Sequence, residues 1–114
     1  MKNFKIKKEE IKKLIDIKGP TGCIATDRIT VEGKKIGYMY KEEGYGMFPD
    51  SGWRFFEGNE DEEYINNPEN SAIYDLNTIC NYDPEIIPYL DSEVGTAFYR
   101  DENGKFIKEH KDDE

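Results

Sequence analysis

The sequence predicts an α+β fold in which a small antiparallel sheet is covered mainly on one face by helices. Runs with strand-like alternation fill the middle of the chain, and helix signals stand at its start and between the strands. The length of 114 residues suits a single domain spanning 1–114. Aromatic residues make up 13% of an otherwise polar chain, which predicts a folded core rather than disorder.

The N-terminal segment, about residues 5–18, is expected to be an amphipathic helix that ends at Pro20. Strands predicted over 22–30 and 35–40 are expected to pair as a hairpin across the turn at 32–34. The helix is predicted from an apolar stripe formed by Ile6, Ile11, Leu14, Ile15 and Ile17.

A third strand is predicted over 51–56, because its side chains alternate so that Trp53 and Phe55 share one face. The segment after it is acidic and rich in turn residues. Asn59 is expected to cap a short helix over 60–65, whose acidic side chains suit a helix N-terminus.

Capping residues organise the next part of the chain. A short strand begins at Ser71, and Asp75 or Asn77 is expected to cap the element that follows it. Asp83 directly ahead of a proline is typical of a helix start, so a short helix is predicted over 84–90.

The C-terminal part is predicted to form a second pair of strands. Residues 94–100 and 105–107 have strand-like composition and are joined by a turn at 101–104. The acidic tail over 109–114 carries almost only charged residues, and we expect it to be frayed.

The formal net charge is −9, and it is unevenly distributed. Residues 1–18 hold seven lysines against three acidic residues, whereas residues 19–114 have a local charge of −13. Such a surface repels nucleic acid and anionic lipid and attracts basic proteins. We therefore expect a protein partner, with no nucleic acid and no membrane, although acidity that serves only solubility is the alternative.

The cysteine count and the hydropathy pattern indicate the compartment. Cys23 and Cys80 are too few for a secreted disulfide scaffold, and we expect both to be buried and reduced. No apolar run approaches the roughly 20 residues that span a bilayer. The chain is therefore predicted to be cytoplasmic, and its oligomeric state is left open.

The sequence has no complete catalytic or metal-binding set. The one histidine, His110, lies in the charged tail, so neither cysteine has a histidine base to activate it. No C-x-x-C pair, phosphate-binding glycine loop or EF-hand is present. We expect no enzyme activity, no cofactor and no metal site.

Two segments are candidate binding sites. The first lies around the run over 50–58, because tryptophan and arginine often anchor protein interfaces, although alternation alone would bury Trp53. Its candidate contacts are Trp53, Arg54, Glu57, Glu60, Asp61, Glu62 and Glu63. The alternative is a polar pocket for a small ligand or an enzymatic reaction, unless the same groups only satisfy backbone in turns. That pocket would use Asp75, Asn77, Asn81 and Asp83.

Three runs together resemble the immunity protein 33 family of bacterial domains. They cover residues 24–40, 50–58 and 73–84, within a family-like core of about 21–100. The D-S-G-W-R-F-F run and the following Y-D-L-N-T are the most specific parts. The resemblance implies a protein that binds and neutralises a cognate toxin, and it carries over no catalytic residue.

Overall fold

The computed structural model of the protein describes residues 2–109. Within this range the chain forms six strands, three short α-helices and three 3₁₀ helices. The strands are β1 (Gly22–Thr26), β2 (Tyr38–Lys41), β3 (Asp50–Phe56), β4 (Ser71–Asp75), β5 (Ala97–Arg100) and β6 (Phe106–Lys108). The α-helices are α1 (Asp27–Thr30), α2 (Glu62–Asn66) and α3 (Leu76–Tyr82), and the 3₁₀ helices are Lys8–Glu10, Pro68–Asn70 and Pro84–Tyr89.

The six strands form one mixed sheet in the order β4-β1-β3-β2-β5-β6. β1 and β3 run parallel, and the other neighbouring pairs are antiparallel. The predicted hairpin of the first two strands is therefore wrong, because β3 lies between them. β1 stops at Thr26, where Asp27 begins α1, and the four successive buried residues 52–55 give β3 a central place.

The α+β class is confirmed, with α1, α3 and the 3₁₀ helix Pro84–Tyr89 packed on one face of the sheet. This covered face holds the core, to which the sheet contributes large side chains such as Trp53 and Phe55. The core residues are Cys23, Ala25, Ile29, Ile36, Met39, Trp53, Phe55, Leu76, Ile79, Cys80, Ile86, Leu90 and Phe98.

The predicted N-terminal helix over 5–18 is wrong. Only Lys8–Glu10 is helical there, as one 3₁₀ turn, and the rest of the segment lies along α3 without regular structure. The Asn81 side chain accepts a hydrogen bond from the N–H of Lys12 at 3.0 Å, and Asn77 accepts one from Leu14 at 2.7 Å. These bonds occupy backbone groups that a helix would use internally, so α3 competes with helix formation.

Most later elements match the predictions, with one shift at α2. Asp75 caps α3 by accepting the N–H of Asn77 at 3.0 Å, and Asp83 caps the 3₁₀ helix Pro84–Tyr89. α2 begins later than predicted, because Asp61 rather than Asn59 accepts the N–H of Tyr64 at 2.8 Å. β5 and β6 pair as expected, and the frayed tail predicted over 109–114 lies outside the described residues beyond Glu109.

Candidate protein-binding face

The face of the sheet opposite the core carries two rows of directly paired side chains. We call these rows the open face. One row runs through Ile73, Ile24, Arg54, Tyr40 and Ala97. The other runs through Phe56, Tyr38, Tyr99 and Ile107. Because directly opposed residues in a sheet share one side, the pairing assigns all of these side chains to one surface.

The open face is aromatic, and α2 and the Tyr45 ring lie against part of it. The Tyr40 and Phe56 rings stack with centroids 5.8 Å apart, and Tyr38 lies 6.0 Å from each of them. Ile73 is 56% exposed and Tyr99 is 42% exposed, although both belong to strands. Tyrosine and phenylalanine in such a patch are typical of protein interfaces rather than of an ordinary solvated surface.

Two open pockets flank the Tyr38 and Tyr40 rings. The first has a volume of about 390 Å³, and carboxylates of Glu43 and Glu109 contribute to its lining. The second has a volume of about 320 Å³ and lies between the aromatic rings and Glu60. The exposed side chain of Ile65, from α2, closes one wall of the second pocket. The surface is therefore grooved, with acidic groups beside apolar walls.

Arg54, although part of the open face, is buried in a closed network of carboxylates. Its two terminal nitrogens pair with the Asp50 carboxylate at 2.7 and 3.0 Å, and its Nε donates to Glu42 at 2.6 Å. The Tyr45 ring covers the guanidinium, with its centroid 4.6 Å from the Arg54 central carbon. The arginine charge is thus fully compensated inside the protein and does not present a cation to solvent.

The ionisation of this network follows from its hydrogen bonds. The bonds from Arg54 lower the pKa of Asp50 to about 2, and the backbone N–H groups of Tyr45 and Gly52 act in the same direction against burial. Burial opposes the Arg54 charge, but the bonds to Asp50 and Glu42 raise the pKa of that guanidinium. The cluster therefore keeps the Asp50 carboxylate and the Arg54 guanidinium charged at neutral pH.

Tyr38 and Tyr40 of the open face stay neutral at neutral pH. Burial, together with the Glu109 carboxylate, raises the pKa of Tyr38. Burial and the Glu42 carboxylate raise the pKa of Tyr40 in the same way. Both hydroxyls therefore keep their proton, that of Tyr38 in a hydrogen bond to Glu109, and both rings keep their apolar surface.

The structure corrects two of the predicted partner contacts. Trp53 has no exposed surface, and its indole N–H donates to the carbonyl of Leu90 at 3.0 Å within the core. Arg54 is 3% exposed and bound to its two carboxylates. Strand alternation places Trp53 inward, and the Tyr45 ring covers Arg54 on the other side, so neither side chain is available to a partner.

The predicted acidic contacts divide into structural and exposed groups. Glu57 binds Arg28 at 3.2 Å, and Glu60 accepts the N–H groups of Glu57 and Gly58 and so builds the turn before α2. Burial would raise the pKa of Glu57, but bonds from Asn59 and Arg28 lower it. Asp61 caps α2, while Glu62 and Glu63 in its first turn are exposed.

The alternative polar pocket is engaged in holding the fold together. Asp75 accepts the hydroxyl of Thr21 at 2.6 Å as well as capping α3. Asn77 and Asn81 bind the N-terminal segment, as described above. Asp83 is completely buried, accepts the N–H of Ile36 at 3.0 Å and pairs with Arg100. The four side chains therefore satisfy backbone groups, which the sequence analysis had weighed as the alternative.

Three further features of residues 2–109 concern metal binding, membrane-spanning helices and the two thiols. Among residues 2–109, no group of three or more histidine, cysteine or acidic side chains is arranged to hold a metal ion. Nor does that part of the chain contain a helix with the length and apolarity needed to cross a bilayer. Cys23 and Cys80 are buried free thiols as predicted, and burial raises the pKa of Cys80 to about 11.

Comparison with known proteins identifies the family. A family model described as "Immunity protein Imm33 domain" matches residues 23–110. The chain belongs to the Imm33 family. The match begins within β1 and leaves out the N-terminal segment, in agreement with the resemblance found in the sequence. No curated protein and no solved structure matches the chain.

Most residues that line the two pockets of this Imm33 domain were not predicted as site residues from the sequence. Tyr38 and Tyr40 were assigned to a strand but not to a surface, and Glu43 and Glu109 were not considered. One usable signal was present, because Met39 between the two tyrosines is completely buried and so sends its neighbours outward. Glu109 comes close to Tyr38 only through the strand order of the sheet. That order could not be predicted, because the first two strands were wrongly expected to pair as a hairpin.

Proposed function

We propose that this chain is a cytoplasmic immunity protein that neutralises a basic toxin by binding it directly, and that it catalyses no reaction. Membership of the Imm33 family supports an immunity role. The net charge of −9 supports a basic partner, because opposite charges speed the encounter of two proteins.

The observation that carries this proposal is the open face. An aromatic sheet surface with exposed Ile73 and Tyr99 costs solubility unless a partner covers it. Tyrosine supplies large contact area with little loss of side-chain entropy, so it suits a tight interface. The exposed acids Glu62 and Glu63 at the start of α2 remain candidate contacts at the edge of this surface.

The small-ligand alternative has less support. Its four side chains already bind the N-terminal segment, Thr21, Ile36 and Arg100, so a ligand would have to displace internal hydrogen bonds. Asp83 is the one of the four that is completely buried, and leaving its partners unsatisfied costs about 1–3 kcal/mol. A binding role for the opposite, unoccupied face requires no such loss.

Co-expression tests the proposed function. Toxins encoded at the same locus are expressed one at a time with the chain, cell survival is measured, and binding of the purified pair is quantified. We expect survival with one toxin and a stable complex with the same toxin. Failure to protect against any of them, or protection without a complex, contradicts neutralisation by direct binding.

A matched pair of substitutions tests the face. Tyr99→Lys places a cation on the open face, whereas Leu14→Lys places one on the N-terminal segment at a similar exposure of 40%. We expect Tyr99→Lys to weaken binding about tenfold or more and Leu14→Lys to leave it nearly unchanged. Equal effects of the two substitutions contradict binding through the open face, and thermal unfolding checks that both variants fold.

A further inference from the structure

We propose that the two pockets of the open face are receptor sites for basic side chains, arginine or lysine, that project from the toxin. This inference rests on the proposed function and states which chemistry the partner presents to the face. It follows from the walls of the pockets, their charges and the orientation of the nearby cations.

The walls of both pockets are aromatic. Tyr38 and Tyr40 line the first pocket and the second, and Phe56 adds a third ring to the second. A guanidinium or ammonium group is attracted to the face of such a ring, and the aliphatic stem of the same side chain packs on apolar surface. The protein already uses this contact internally, where the Tyr45 ring covers Arg54 at 4.6 Å.

Carboxylates stand at the rim of each pocket. Glu43 and Glu109 line the first pocket and Glu60 lines the second. Residues 2–109 provide no cationic side chain within 4 Å of these three carboxylates, so their charges are not neutralised by an ion pair there. Each pocket therefore combines aromatic rings with a carboxylate, the pair of features that selects a cation. The Glu60 carboxylate of the second pocket also accepts hydrogen bonds from Thr26, Glu57 and Gly58, so the first pocket offers the freer negative charge.

The nearest internal cations are directed elsewhere. Lys41 lines the first pocket, but its ammonium donates to the carbonyl of Ser92 at 3.0 Å and lies 5.9 Å from the Trp53 ring on the covered face. Arg54 is held by Asp50 and Glu42. Two basic side chains of a partner would thus enter an acidic surface at which Lys41 and Arg54 are already bound to internal acceptors.

An aromatic sheet face is also a platform on which single-stranded nucleic acid stacks. That occupant needs a positive groove to hold its phosphates, and the open face instead carries Glu43, Glu60 and Glu109. The observed charge favours a cationic protein side chain, and nucleic acid serves as a contrary outcome in the test.

The test uses the full chain and a small probe in place of the toxin. N-acetyl-arginine amide is titrated into the isotopically labelled protein while the ring signals of Tyr38, Tyr40 and Phe56 are followed by NMR. Its neutral isostere N-acetyl-citrulline amide is the comparison probe, and octauridylate is the nucleic-acid probe. We expect saturable shifts of these rings with the arginine probe and binding of the citrulline probe weaker by about fivefold or more.

Paired variants separate local recognition from overall charge. Glu43→Gln with Glu109→Gln removes two charges at the first pocket, and Glu9→Gln with Asp91→Asn removes two from exposed positions elsewhere. The first variant should bind the arginine probe about three- to tenfold more weakly, and the second should change it less than about twofold. Any one of four results would overturn the proposal. These are an equal loss of affinity in both variants, equal binding of the two amino-acid probes, no shift of the ring signals, and the same ring shifts with octauridylate.

The binding assay with the arginine probe does not require the toxin, so its outcome tests the pocket assignment separately from the immunity role. A chain that binds the arginine probe in the pockets but protects cells from no toxin contradicts the immunity role. A chain that protects cells but does not bind the probe contradicts only the pocket assignment.

Discussion

Arg54 shows how one buried residue of the open face joins neighbouring parts of the sheet. Its guanidinium joins Asp50, at the start of β3, to Glu42, which follows β2, and the Tyr45 ring lies over it. The Asp50 side chain is 1% exposed, so it depends on Arg54 to remain charged inside the protein.

Substituting Arg54 with methionine tests this dependence. The change leaves the Asp50 carboxylate buried without its partner, so we expect the free energy of unfolding to fall by about 3 kcal/mol or more. Urea denaturation measures the loss. Lys13→Met is the control, because Lys13 lies 4.0 Å from Asp16 in an exposed pair, and we expect a change below about 0.5 kcal/mol. A loss at Arg54 as small as in the control would show that the cluster does not stabilise the fold.

Asp50 should also make stability depend on acid pH. Its pKa of about 2 in the folded protein lies below the ordinary value of 3.8, so the unfolded chain takes up the proton first as the pH falls. The contribution, about 2 kcal/mol, is complete above pH 4 to 5 and is lost as the pH falls towards 2. Urea denaturation between pH 6 and 2 should show that the free energy of unfolding depends less on pH in Asp50→Asn than in the original chain. The same pH dependence in both proteins would contradict the assignment of this effect to Asp50.

At the scale of elements, α3 positions the N-terminal segment through two asparagine side chains. Asn77 accepts the N–H groups of Leu14 and Ile15 at 2.7 and 3.2 Å and donates to the carbonyl of Lys12 at 2.8 Å. Asn81 binds both backbone groups of Lys12. The segment is thus attached by side chains rather than by its own helix.

Replacing Asn77 and Asn81 with alanine should detach this segment without unfolding the sheet. We expect faster amide hydrogen exchange at Leu14 and Ile15, since the acceptors of their N–H groups are removed, and unchanged exchange in β1 and β3. Asn103→Ala in the β5–β6 turn is a control that should leave the N-terminal amides as they are. Unchanged exchange at Leu14 would show that other contacts hold the segment.

The elements also show which parts of the fold can be predicted from the sequence. The helix start after Asp83 was predicted, and Asp75 was one of the two capping residues considered, because both features depend on neighbours within a few residues. The N-terminal helix failed because Asn77 and Asn81, more than 60 residues away along the chain, bind its backbone. The prediction of the first hairpin was wrong because β3 lies between β1 and β2 in the sheet. That pairing is non-local, so local sequence patterns do not indicate it.

The candidate site was predicted less well than the fold for the same reason. Tryptophan and arginine in one run suggested an interface, but in this sheet Trp53 belongs to the core and Arg54 to an internal ion cluster. The open face is assembled from all six strands, so its composition becomes visible only once their order is known. The acidic net charge followed correctly from the sequence, but the position of acidic residues beside the aromatic rings did not.

At the scale of the whole molecule, the net charge of −9 should govern the rate at which a basic partner is found. We expect the association rate constant with the toxin to fall about tenfold between 50 and 500 mM NaCl, with a smaller change in the dissociation rate constant. Stopped-flow measurements give both constants. A salt-independent association rate would contradict electrostatic steering.

Hydroxyl-radical footprinting of the complex tests binding through the open face most directly, because it reports the solvent access of individual side chains. The open face and the N-terminal segment offer comparable reporters, Tyr99 at 42% and Phe4 at 42% exposure. The account predicts that the toxin protects Tyr38, Tyr40 and Tyr99 and leaves Phe4 and Leu14 as reactive as in the free protein. Protection of Phe4 and Leu14 with unchanged reactivity of the three tyrosines would contradict it.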